Sequence, residues 1–244
     1  IMRKMASKTF LAVMLLIVVF FISGCGSSNG GNVKKAAYEI IDDQGAMIQL
    51  EHKPERILTL AMGTDSIVLG ILPEEKLIAI NSLADDPVSS NIVDKANRIT
   101  RKIKNPSAEE ILSLKPDVVF IYNWGKAEMV DNLRELGIKV VVVKGPKSIA
   151  DVKENVKLIA KTLGEEDKGN LMIAKMDDKL AEIKEKVDNI KPERRKKLVL
   201  ISLMTSYGGK GCTFDDICQY AGVINGVSDA GLHNGQLLTK EMLV

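Results

Sequence analysis

The chain has 244 residues, with 34 lysines and arginines against 32 aspartates and glutamates, two histidines, three cysteines, 45% hydrophobic and 4% aromatic residues. That hydrophobic content supports a packed core, as one large domain or as two lobes of about 100 residues. The near balance of charge excludes the basic footprint of a nucleic-acid partner. Two histidines argue against a receptor for bare zinc or manganese ions, whose sites draw on several His and carboxylate ligands.

The charge is unevenly placed. Arg3, Lys4 and Lys8 precede an apolar run over residues 10–22. The run is shorter than the roughly 20 residues of a membrane span and has the length and basic flank of a secretory leader. Residues 1–24 carry three of the 34 basic residues and none of the acidic ones, so the rest has 31 against 32, a net charge of −1. Ile22-Ser23-Gly24-Cys25 resembles the lipobox of bacterial lipoproteins. The resemblance implies cleavage before Cys25, lipidation of its thiol, and an extracytoplasmic protein held on the membrane by acyl chains, each buried CH2 contributing about 0.8 kcal/mol. The compartment is then the periplasm or the outer face of the membrane. Residues 25–37 begin Cys-Gly-Ser-Ser-Asn-Gly-Gly-Asn and read as a flexible tether.

From residue 38 the pattern is α/β. Residues 56–61, 76–81, 117–122 and 139–144 are short runs of consecutive apolar, mostly β-branched residues, the mark of strands buried on both faces of a parallel sheet. Helical stretches separate them. Residues 64–69 carry apolar Ile67, Val68 and Leu69 before Gly70. Ser107 and Glu110 have capping-box spacing ahead of a helix reaching 114. Residues 126–136 end at Gly137, a C-cap glycine. Residues 38–147 thus form an N-terminal α/β lobe.

The pattern then changes. Ile149, Val152, Val156, Ile159, Ala160 and Leu163 recur at helical spacing, and after Gly164 a second charged helical stretch covers 168–190. Residues 148–168 are the candidate for a helix joining two lobes. Residues 197–203 restart the α/β pattern, a helix over 213–221 has Thr213 and Asp216 at capping-box spacing, and 223–227 is a further candidate strand. A helix beginning at Thr239 breaks off at Val244, so the C-terminal lobe, 169–244, is expected to be incomplete. Cys212 and Cys218 are expected as two buried free thiols rather than a disulfide.

Ligands of open α/β sheets bind beyond the carboxyl ends of the strands. Four segments fall there: 62–64 with Met62 and Thr64, 82–85 with Ser82 and Leu83, 122–124 with Tyr122, Asn123 and Trp124, and 204–207 with Ser206 and Tyr207. Two of the four tyrosines and the only tryptophan lie in them. Aromatic faces with polar handles suit a flat macrocycle or a catecholate ring. His233, in the polar stretch Leu232-His233-Asn234-Gly235, is added as a residue facing the expected cleft. The four segments hold no basic residue, although Lys126 and Lys210 are close, which favours haem, cobalamin or a neutral chelate over a charged one. No nucleophile elbow, dinucleotide fingerprint or Walker loop is present, so an enzyme is not expected.

Arg56-Ile-Leu-Thr-Leu, Asp65-Ser-Ile-Val-Leu-Gly70, Lys76-Leu-Ile-Ala-Ile80, Asn105-Pro-Ser-Ala-Glu109 through Asp117-Val-Val, Leu133-Arg-Glu-Leu-Gly137, Ala221-Gly222-Val-Ile-Asn225 and Thr239-Lys-Glu241 together resemble the periplasmic-binding proteins for siderophores, haem and cobalamin. The resemblance covers nearly all of residues 38–244. It implies two α/β lobes joined by a long rigid helix, a ligand cleft between them, and a monomer that delivers a metal complex to an ABC importer without a resident cofactor or metal site of its own. It implies further that Tyr122 stacks on ligand, and that Glu109 and Glu241, one per lobe, dock onto arginines of the permease. The rival readings are an envelope scaffold and, less well supported, a free metal-ion receptor.

Overall fold

The computed structural model describes residues 38–201, 207–237, 239 and 241. The leader, the tether with Cys25, and Ser206 lie outside the described residues. The chain opens with an antiparallel hairpin, β1 (Tyr38–Ile41) and β2 (Met47–Leu50). Its turn is built by Asp42, whose Oδ1 accepts from the backbone N–H groups of Gln44 and Ala46, both at 2.9 Å. Gly45 supplies the left-handed backbone there, at φ 77°. The hairpin alternates faces: Ile40, Ile48 and Leu50 are buried while Ile41 and Met47 face solvent.

Five parallel strands follow, β3 (Ile57–Thr59), β4 (Leu77–Asn81), β5 (Lys102–Ile103), β6 (Val118–Tyr122) and β7 (Val140–Val143), in the order β5-β4-β3-β6-β7. Every residue of β6 and β7 is buried, as both-face burial requires. One face presents Ile57, Val118, Phe120 and Tyr122 to helix α1 (Met62–Ile71), to the hairpin and, further along the chain, to α5 (Ile149–Leu163). The other presents Leu58, Val119, Ile121 and Val142 to α3 (Ala108–Ser113) and α4 (Ala127–Glu135); α2 (Val93–Ala96) is a single turn before β5. Neighbouring residues of β6 enter opposite cores, the period of two that a pleated strand imposes. Ser107 caps α3 by accepting from the Glu110 N–H at 3.2 Å.

Residues 148–168 are not one joining helix. α5 ends at Leu163, and Gly164 adopts the left-handed conformation at φ 64°. α5 belongs to the first lobe, because Val156, Ile159, Ala160 and Leu163 enter its core. The element that leads away is α6 (Glu166–Asp188), of whose 23 residues only Gly169 is buried. Gly169 lets the two helices touch: a Cβ there would lie 2.4 Å from that of Ala160.

Beyond α6, β8 (Lys197–Leu198) pairs in parallel with β9 (Ile224–Asn225), around α7 (Thr213–Tyr220) and the short α8 (Gly226–Asp229). The strand expected over 197–203 is shorter, with 202–206 outside the described residues. The strand expected over 223–227 gives way to α8 at Gly226. Thr213 and Asp216 do not form a capping box: Cys212 occupies the N-cap without a side-chain bond. Instead the Thr213 hydroxyl donates to the Pro146 carbonyl at 2.9 Å and Asp216 Oδ2 accepts from the Ile149 N–H at 2.7 Å, fastening α7 to the start of α5. Cys212 and Cys218 are buried free thiols.

Candidate functional site

The parallel sheet reverses its winding between β3 and β6, the switch point at which such sheets open a crevice beyond their strand ends. A cavity of about 640 Å³ lies there. Leu60 and Ala61 wall it after β3, Asn81, Ser82 and Leu83 after β4, and Lys104, Asn105 and Pro106 after β5. Tyr122, Trp124 and Gly125 complete it after β6, with Lys126 and Met129 from the start of α4.

Tyr122 and Trp124 form the aromatic wall, with ring centroids 4.2 Å apart and planes tilted by 34°. Tyr122 is 6% exposed and Trp124 66% exposed, so the first anchors and the second is presented. The indole lies over Gly145; a Cβ at that position would sit 2.1 Å from its Cε3. The Tyr122 hydroxyl passes as closely over Gly63, where a Cβ would stand 2.3 Å away. Burial, and secondarily the Asp65 charge, push the Tyr122 hydroxyl up to about 12, so it stays a neutral phenol throughout the physiological range.

Asp65 organises the floor. It is fully buried in α1; its oxygens accept from the Thr59 hydroxyl at the end of β3 and from the Asn81 N–H, at 3.1 Å, at the end of β4. Asn81 Oδ1 in turn accepts from the Leu83 N–H at 2.9 Å, shaping the loop that reaches the cavity. Burial raises the Asp65 carboxyl to about 8, the Asn81 hydrogen bond opposing it.

Of the residues singled out from the sequence, the cavity brings together Ser82, Leu83, Tyr122 and Trp124. Thr64 and Asn123 turn to structural bonds and do not line it. The Thr64 hydroxyl donates to the Ala61 carbonyl at 2.7 Å. The Asn123 amide donates to Asp43 at 2.7 Å and accepts from the Gly145 N–H at 3.0 Å, which holds the platform loop in place. Met62 opens α1 outside the lining. Tyr207 is half-buried, its hydroxyl raised mainly by burial; His233 is exposed and bridges the Lys210 backbone, packed over Gly209. Neither reaches the cavity. Ser206 lies outside the described residues. Lining residues outside the four segments include Asn81, Lys104, Asn105 and Lys126, so the wall carries two basic residues, of which Lys126 is one that the sequence already places close to the segments.

A second cavity of about 600 Å³ runs along α6, lined by Gly70, Leu171, Met172 and Met176 among others. It holds none of the residues selected from the sequence. Among the described residues no group of three or more His, Cys, Asp or Glu side chains is placed to hold a metal ion, and no helix is long and apolar enough to cross a membrane.

Glu109 and Glu241 are exposed. The Ser107 hydroxyl first, then its own backbone N–H, hold Glu109 below the usual carboxylate range. Its own backbone N–H, then Thr239, do the same for Glu241. Both therefore present a full negative charge.

Residues 63–242 match the sequence model described as periplasmic binding protein. An ABC transporter substrate-binding lipoprotein of Bacillus subtilis (strain 168), itself described as uncharacterized, is 22% identical over 206 residues, 80% of this chain and 64% of its own length. The Fe(3+)-citrate-binding protein of the same organism is 27% identical over 207 residues, 79% of this chain and 60% of its own. The chain thus spans less than two thirds of the length of these relatives. Among solved structures, a periplasmic heme-binding protein from Roseiflexus sp. RS-1 superposes with a TM-score of 0.66 at 23% identity, over 78% of this chain and 72% of the other. At that identity the likeness establishes the two-lobe α/β fold.

Proposed function

The chain belongs to the periplasmic binding protein family, and from that premise we propose that it is an extracytoplasmic substrate-binding lipoprotein that captures an iron complex, haem or a corrinoid and delivers it to an ABC importer. The observation that carries this reading is the cavity of about 640 Å³ at the carboxyl ends of the strands, walled by the Tyr122–Trp124 pair. Its volume falls among small-molecule sites, roughly 300–1,000 Å³. An exposed indole beside a buried phenol offers a large apolar face at low entropic cost to a planar ligand. The names of the relatives, which include proteins for iron citrate and for haem, support the cargo class.

In this reading Cys25 carries the lipid and the protein works as a monomer. Ligand contacts the first lobe through the cavity wall and is covered from the second lobe. The hydrogen bonds from Thr213 and to Asp216 keep the two parts at a nearly fixed angle, so closure is small. Glu109 and Glu241 meet basic groups of the permease, and charges at a fixed separation contribute orientation and association rate more than affinity.

Radio-iron and labelled-corrinoid uptake by cells lacking the gene tests the proposal. The expected result is loss of uptake of one complex, restored by the wild-type protein. A Glu109→Ala, Glu241→Ala variant that still binds ligand should restore less than about a tenth of it, a deficit of roughly 1.4 kcal/mol or more in productive docking. Unchanged uptake of every complex, with an envelope defect instead, would put a scaffolding role in its place.

A further inference from the structure

We propose that Asp43, at the tip of the N-terminal hairpin, is a positioning residue for cargo capture: through the Asn123 amide it sets the loop that presents Trp124 to the ligand. The inference rests on the capture role proposed above. Asp43 does not line the cavity, so its effect passes through other residues. Its own backbone is fixed first. The Asp43 N–H donates to the Val142 carbonyl at 3.0 Å, and the Val142 N–H donates to Asp42 Oδ2 at 3.1 Å. These two bonds stitch the hairpin tip onto the outer edge of β7, the last strand of the sheet. Arg134 adds an ion pair to the same Asp42 oxygen at 2.7 Å.

Asn123 joins this anchor to the aromatic wall. It follows β6, and its backbone N–H donates to the Val143 carbonyl at 2.9 Å. Its side-chain nitrogen donates to Asp43 Oδ2 at 2.7 Å, and its side-chain oxygen accepts from the Gly145 N–H at 3.0 Å. A carboxylate only accepts, so Asp43 decides which way round the amide sits. A flipped amide would set oxygen against carboxylate and nitrogen against N–H, and both bonds would be lost. Gly145 is also the surface beneath the indole, where a Cβ would stand 2.1 Å from Trp124 Cε3. Hairpin tip, amide and indole platform are thus one chain of contacts. The bond to Asp43 is charge-assisted, whereas the nearby Lys144 ammonium gives its hydrogen bond to Asp151 at 2.6 Å. Trp124 is mostly in solvent, and a loop ordered before ligand arrives lowers the entropic cost of binding against it.

The test exchanges the two partners in the full-length mature protein. Asn123→Asp sets two carboxylates face to face, and Asp43→Ala removes the acceptor without adding charge. Asp43→Asn keeps an acceptor for the Asn123 amide. The double variant Asp43→Asn, Asn123→Asp restores an amide–carboxylate pair with roles exchanged and net charge unchanged. Two quantities are read: the fluorescence anisotropy of Trp124, the one tryptophan of the sequence, without ligand, and the calorimetric affinity for haemin, ferric citrate and cyanocobalamin. Asn123→Asp and Asp43→Ala should lower the anisotropy and weaken the probe that the wild type binds by about fivefold or more, the scale of one hydrogen bond. Asp43→Asn should lose less, and the double variant should recover both quantities. Glu39→Ala, which breaks an exposed bond to Gln49 in the same hairpin, should change neither. Melting temperatures check that each variant is folded. A double variant no better than Asn123→Asp overturns the inference, as does affinity that falls while anisotropy stays, or anisotropy that falls while affinity stays; the capture role survives each of these. A wild type that binds none of the three probes overturns the capture role, and positioning for capture falls with it.

Discussion

At the scale of single residues, Asp65 is the group whose chemistry departs furthest from its ordinary behaviour. Its ordinary value is 3.8, and burial lifts it to about 8 in the folded chain. Between those two pH values the unfolded chain releases this proton and the folded chain keeps it. The unfolded state then binds fewer protons, so stability falls as pH rises through the window and is flat outside it. The slope from this one group reaches at most about 1.4 kcal/mol per pH unit. Asp65→Asn should remove that component, because an amide keeps an acceptor for the Asn81 N–H and can donate to the Thr59 hydroxyl. Denaturant unfolding at pH 5, 7 and 9 measures it; identical pH slopes for the wild type and the Asp65→Asn variant would show that Asp65 does not titrate in this window. The sequence marks Asp65 only as part of a resemblance. Nothing in its local pattern separates it from a solvent-exposed acid in a first helical turn, because its burial comes from Thr59 and Asn81, which lie on two other elements.

At the scale of elements, the strands legible in the sequence are those of uniform burial. β6 and β7 are runs of apolar residues because both faces of the sheet are covered. β5 is not legible, being two residues long and too short for any periodicity, and the place of Lys104 and Asn105 in the cavity wall is hidden with it. The hairpin is hidden for the opposite reason: each strand is four residues long, with one face in solvent, and its alternation is brief. Half of the aromatic wall is legible by composition, since tryptophan is unique in the chain. The roles of Thr64 and Asn123 are not, because only three-dimensional structure shows that a polar side chain at a strand end bonds its own loop. The spacing of Asp216 suggests a cap of its own helix, whereas its carboxylate bonds the first N–H of α5. Asp216→Ala should cost about 1–2 kcal/mol, the range for an orphaned buried or half-buried donor, and should speed hydrogen exchange at the Ile149 amide. Asp216→Asn, which keeps an acceptor, should lose less. An Ile149 amide that exchanges at the wild-type rate in the alanine variant would mean that this bond does not hold the two parts together.

At the scale of the whole molecule, the parallel sheet supplies a rigid rim, and its switch point between β3 and β6 decides where a ligand can sit. Strand order and the aromatic pair converge on one cavity, walled by four separate stretches of chain. Residues 202–206, which follow β8, lie outside the described residues, and the recognition described above rests on the first lobe. The central claim is that small-molecule cargo is captured against Trp124, and the direct measurement is the emission of that single tryptophan in the folded mature protein. Haemin, cobalamin and a panel of ferric chelates are titrated in turn. Saturable quenching at micromolar or lower concentration by one class of ligand is the expected result; flat traces from every ligand, matched by silent calorimetry, would contradict it.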